Sequence, residues 1–197
     1  MITLKQGHPA QVKGDVLCYP NTSFGFLVTS ALGRELIQTG GPRVEQSIIN
    51  QRPLRLGSAV LGDAGKLHYS YIVHYINYPG WDKWWREDNT RLAMRSMLAM
   101  LERIGSKNPV LMLPVQPPFD ASLWPKIVEV TADVLFHDQG DRNWTVLIPS
   151  PYVGALWPQE PEKEFIVEKV EETPKQIKEV KEIENKKVYK QNKNKAK

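Results

Sequence analysis

The 197-residue sequence has a single cysteine, Cys18, and only four histidines. One thiol cannot close an internal disulfide. Its place in the apolar stretch DVLCYP points to a small buried hydrophobe in a reducing, cytoplasmic compartment. His8, His68, His74 and His137 are scattered, and with one cysteine they offer no zinc-type spacing, so neither a metal nor a cofactor is expected. No apolar run nears the roughly 18 residues of a membrane span, and Met1 leads into ITLKQG with no signal-peptide core, which argues against a membrane role. Charge of one sign is also scarce. Twenty-six Lys and Arg against 22 Asp and Glu leave a net +4, and Lys and Glu interleave through the C-terminal third. That balance lacks the basic face that nucleic-acid binding calls for.

What remains is the profile of one ordinary globular core, with 41% hydrophobic and 24% charged residues. Short apolar runs alternate with segments of helical period. MITLK and DVLCYP read as strands. In TSALGRELIQTGG, Leu32 and Leu36 lie one turn apart and Gly40 is placed to stop a helix. Pro42 opens a second short helix, with Val44 and Ile48 on one face. GSAVLGD and YSYIVHYI are two further apolar runs joined by a glycine-containing connection. From Asn89 to Ile104, Ala93, Met97, Met100, Leu101 and Ile104 repeat at helical spacing before Gly105. PVLMLPV reads as a core strand, Leu123 to Val134 as a helix and WTVLIP as a last strand. Strands alternating with helices in this way predict a mixed, mostly parallel sheet with helices on both faces. At Pro158 the composition changes to Lys, Glu and Pro with isolated apolar residues, which predicts a disordered tail over 158–197 after a folded domain over 1–157.

The glycine after the first strand (Gln6-Gly7), GDVL into the second, and the series Gly40, Gly41, Pro42, Pro53, Gly57, Ala59, Ala64, Gly65, Leu67 and His74 resemble the macro domain family of ADP-ribose-binding modules. The resemblance covers roughly 1–157. It implies a three-layer α/β/α sandwich with a ligand cleft at the C-terminal ends of the central strands, in keeping with the rule for open parallel sheets. It also implies a set of ligand contacts: His8 where the family has an Asp facing the adenine amino group, Asn21 near the distal ribose, Gly25, Thr29 and Ser30 against the phosphates, Val115 and Phe119 on the opposite loop, and Tyr152 against adenine.

The departures from the family pattern are physical. FGFLVTSALG keeps Gly25 alone where the family has a run of glycines, and side chains obstruct the backbone approach that glycine permits. In VQPPFD, Pro117 and Pro118 have no N–H to offer a phosphate and fix φ, so the loop is expected to be a rigid rim, with Asp120 capping the helix that follows. Three tryptophans in GWDKWW, Trp81, Trp84 and Trp85, either cover the sheet edge or form a contact surface for a protein partner, and the charged tail is a second candidate docking arm. His74 reads as a packed residue and Asp63 as a turn residue. Three readings stand at this point: a module binding ADP-ribose or a related nucleotide weakly, an interaction protein that kept the fold and lost the ligand site, and an ADP-ribosyl hydrolase. The third asks for a water held against a firmly clamped ribose, a placement that the altered loops undermine.

Overall fold

Alternating parity along the strands sorts the core into two layers. In β2 (Val16–Thr22), Val16 and Cys18 face one side of the sheet while Leu17 and Tyr19 face the other. In β4 (Tyr71–Tyr78), Val73 and Tyr75 share the first side, and Ile72 and Ile76 the second. A computed structural model describes residues 1–80, 85–114 and 120–158. The remaining strands are β1 (Ile2–Lys5), β3 (Ala59–Gly62), β5 (Pro109–Met112) and β6 (Trp144–Leu147). They form one six-stranded sheet in the order β1-β6-β5-β2-β4-β3, parallel throughout except for β3, which pairs antiparallel with β4 at the edge.

Helices α1 (Ala31–Gly40) and α2 (Arg43–Ile49) cover one face through Leu36, Val44 and Ile48. Helices α3 (Glu87–Arg103) and α4 (Trp124–Phe136) cover the other through Ala93, Met94, Met97, Leu101, Ile127, Val128, Val134 and Leu135. A short α5 (Pro151–Ala155) adds Val153 to that layer. Each fully buried aliphatic side chain contributes about 1.5–3 kcal/mol relative to exposure, so these faces hold the sandwich together. The expected α/β/α architecture is what the chain adopts.

The helix ends follow local chemistry. Ser30 caps α1 by accepting from the Gly33 N–H at 2.9 Å, and α1 closes where Gly41, at φ 87°, donates to the Ile37 carbonyl. Pro42 stands one residue outside α2, as its N-cap rather than its first helical residue. At the opposite edge of the sheet from the strands' carboxyl ends, Asp15 ties β2 to the start of β5, accepting from Ser106 Oγ and from the Lys107 and Asn108 N–H groups at 2.7–3.0 Å. Asp63 accepts from the Gly65 N–H at 2.7 Å, the turn role read from the sequence. No helix among the described residues is long and apolar enough to cross a membrane.

Candidate functional site

The carboxyl ends of β1, β5 and β6 converge on a cleft of about 210 Å³. Its walls are apolar: Leu32 from the first turn of α1, Met112 and Leu113 after β5, Trp124 at the start of α4, and Leu147, Ile148 and Pro149 after β6. Gly7, His8 and Pro9 close the side next to β1. Parallel strands ending together leave this crevice, and α1 begins beside it with its N-terminal dipole. The volume among the described residues is below the roughly 300–1,000 Å³ of pockets that take drug-sized ligands.

Of the expected contacts among the described residues, His8 alone lines this cleft. The Nδ1 atom accepts from the Ala10 N–H at 3.1 Å, so the neutral ring carries its proton on Nε2, which lies 2.7 Å from Glu35 Oε2. The carboxylate at this corner of the cleft belongs to Glu35, a polar α1 position that no sequence pattern distinguishes.

Asn21, expected near a ribose, is buried. It is 1% exposed at the end of β2, on the same parity as Leu17 and Tyr19, and so turns toward the α1–α2 layer. Its Oδ1 accepts from the Thr22 N–H at 2.7 Å, and its Nδ2 donates to His74 Nδ1 at 3.2 Å. His74 is fully buried, its ring tilted against Tyr19, with burial lowering its pKa to about 3 and Nε2 left without a partner. The pair is a neutral buried link between β2 and β4.

The loop from β2 to α1 is also turned inward. Gly25 adopts φ +69°, and a Cβ there would meet Ile48 Cγ2 at 2.7 Å and Leu54 Cδ1 at 2.8 Å. The glycine is therefore required for the backbone turn and for packing against Ile48 and Leu54. Thr29 Oγ1 donates to the Phe26 carbonyl, and Ser30 Oγ is occupied by Gly33 N–H and Tyr19 OH. Phe24, Phe26 and Val28 are exposed, and the guanidinium of Arg52 lies 3.8 Å over the Phe26 ring. The unforeseen residue is Glu45 of α2: its Oε1 accepts from the Leu27 and Val28 N–H groups at 2.7 and 3.1 Å.

Tyr152 lies in α5 rather than in an irregular loop. It is 60% exposed and is not part of the cleft lining, where Trp124 supplies the aromatic surface instead. Asp120 caps the 3-10 turn Ala121–Leu123 through the Ser122 N–H at 2.9 Å, as expected from the sequence. Trp85 is partly buried and packs against the α3–α4 core. Val115, Phe119, Pro117, Pro118, Trp81, Trp84 and the tail from residue 159 on lie outside the described residues. Cys18 is buried, and that burial pushes its thiol well above its ordinary pKa. Among the described residues no three His, Cys, Asp or Glu side chains gather as metal ligands would.

No sequence-family profile matches the chain. An uncharacterized protein of Aquifex aeolicus (strain VF5) is 28% identical over 104 residues, 52% of this chain and 61% of that protein, so the chain spans less than two thirds of that relative. Solved structures are more informative about architecture. The macrodomain of Thermus aquaticus DarG superposes with a TM-score of 0.63 at 14% identity, over 76% of this chain and 99% of its own. An Oceanobacillus iheyensis macrodomain with ADP gives 0.63 at 12% identity, over 81% of this chain and 88% of that one. A mutant of the same macrodomain with ADPR gives 0.66 at 11% identity, over 81% and 90%. With its sheet order, its two helical layers and its cleft at the carboxyl ends of the strands, the chain has the macrodomain fold.

Proposed function

We propose that the domain, with its boundary near Trp157, is a divergent macro-type module that binds ADP-ribose or a related nucleotide weakly and without efficient hydrolysis of ADP-ribosyl bonds. The observation that carries this reading is the apolar cleft over β1, β5 and β6, with Trp124 as an aromatic wall and the start of α1 alongside. The similarity in fold to macrodomains solved with ADP and ADPR supports it. Weakness follows from the loop chemistry, since the side chains of Thr29, Ser30 and Asn21 are all engaged within the protein. Without a firm grip on the phosphates, a reacting water loses the placement that is worth factors of about a hundred or more.

Calorimetry with ADP-ribose should give a dissociation constant of about 10 μM to 1 mM, or roughly −7 to −4 kcal/mol. Leu32→Trp, which fills the cleft from α1, should abolish binding while leaving the circular dichroism spectrum unchanged. Sub-micromolar affinity, or robust release of ADP-ribose from modified proteins, would overturn the proposal. A second reading, a protein-interaction module, is favoured by the exposed Phe24, Phe26 and Val28 on the β2–α1 loop. It becomes the leading one if no nucleotide binds at millimolar concentration.

A further inference from the structure

We propose that Glu45 is a built-in anion: its carboxylate fills a backbone amide nest in the β2–α1 loop and thereby excludes the phosphates of a nucleotide from a site that would otherwise hold them. The ligand named here rests on the nucleotide-binding reading above; the nest itself does not. Two successive N–H groups, those of Leu27 and Val28, converge on the single oxygen Oε1 at 2.7 and 3.1 Å across 18 and 17 residues of sequence. Consecutive amides aimed at one negatively charged oxygen are the arrangement by which a loop backbone holds a phosphate oxygen.

A second observation points the same way. Arg52, stacked on the ring of neighbouring Phe26, buries Nε and Nη2 with no acceptor for either. Arg34 Nη1 donates to the Val28 carbonyl at 2.8 Å, so two guanidinium groups contact this loop. One carboxylate satisfies the two amides and leaves the buried Arg52 donors unmatched. A diphosphate has more acceptor oxygens and more charge to offer the same donors. Glu45 is tethered to the chain and of the same sign as a phosphate, so it competes at every ligand concentration and repels what it does not exclude. The nucleoside end of a ligand, seated in the apolar cleft, is untouched by this competition.

The test is titration of inorganic diphosphate into the full chain and into Glu45→Ala and Glu45→Gln, followed by backbone amide NMR. The wild-type chain should show no saturable shift at millimolar diphosphate. Glu45→Ala should bind about tenfold tighter or more, equivalent to ~1.4 kcal/mol, with the largest shifts at Leu27 and Val28. A well-dispersed Glu45→Ala spectrum with no gain in diphosphate affinity overturns the proposal. Should Glu45→Ala lose dispersion, Glu45→Gln decides: it keeps an acceptor oxygen on the loop but drops the charge, and a gain of about threefold is expected, while no gain overturns the proposal. In Glu45→Ala the affinity should rise for ADP-ribose and stay constant for adenosine. Equal gains for both would mean that the loop has simply loosened, and would also overturn it. Binding of diphosphate by the variants with no binding of adenosine or ADP-ribose would sustain the nest and remove the nucleotide reading.

Discussion

Replacing Asn21 by alanine separates a structural from a ligand-binding role more sharply than any other change. The side chain is 1% exposed and holds two groups at once, the Thr22 N–H through Oδ1 and His74 Nδ1 through Nδ2. Alanine leaves both unpaired, and His74 already has one buried nitrogen without a partner. A stranded buried polar group costs about 1–3 kcal/mol. The His74 acceptor is fully buried and the Thr22 amide only partly so, and together they predict a loss of about 2–4 kcal/mol. For a domain of this size that corresponds to a fall in Tm of roughly 5–15 °C. Urea denaturation followed by tryptophan fluorescence measures the loss directly, and calorimetry on the folded variant reports ADP-ribose binding. The reasoning is refuted if Asn21→Ala melts with the wild type but binds ADP-ribose more than about tenfold more weakly, because the amide would then have to touch the ligand.

Two further perturbations follow from the same region. His74 has a folded pKa of about 3 against an ordinary value of 6.5, so the folded chain keeps it neutral while the unfolded chain takes up a proton as the pH falls. Its contribution is intact above pH 6.5 and is lost progressively below it, on the order of 3 kcal/mol by pH 4. Urea titrations between pH 7 and 4 should therefore show a shallower acid loss in His74→Gln than in the wild type, and parallel curves would refute the assignment. Gly25→Ala places a Cβ 2.7 and 2.8 Å from Ile48 and Leu54 at a positive φ. It should lower stability by about 2–5 kcal/mol, combining roughly 1–2 for the backbone with 1–3 for crowding, and an unchanged urea midpoint would show that the loop relaxes freely.

The backbone elements were legible wherever the apolar period was long enough to be counted. Leu17 and Tyr19 against Val16 and Cys18, or Ala93, Met97 and Leu101, identify a strand or a helix without further information. The five-residue α5 and the 3-10 turns Pro9–Gln11 and Ala121–Leu123 are too short to carry a period, and α3 begins two residues before Asn89 because Glu87 and Asp88 form a polar first turn. Parity also held information that the motif resemblance obscured. Asn21 shares its face with Leu17 and Tyr19, which already directs it into the α1–α2 layer.

Sequence alone determined the layer architecture, because side-chain periods of 2 and 3.6 set which faces must be buried and a macro-type order of elements leaves few ways to bury them. It also determined that the loops after β2 and β5 depart from the pattern of the family the sequence resembles, since the presence or absence of a glycine or a backbone N–H is a property of the residue itself. Only the tertiary structure decided what took their place. Glu45 meets the Leu27 and Val28 amides 18 and 17 residues away, Glu35 meets His8 across 27, and Trp124 reaches a cleft whose other walls come from β1, α1, β5 and β6. Such partners are selected by how the packed layers bring polar groups within about 3 Å of one another, and no local pattern along the chain records that distance.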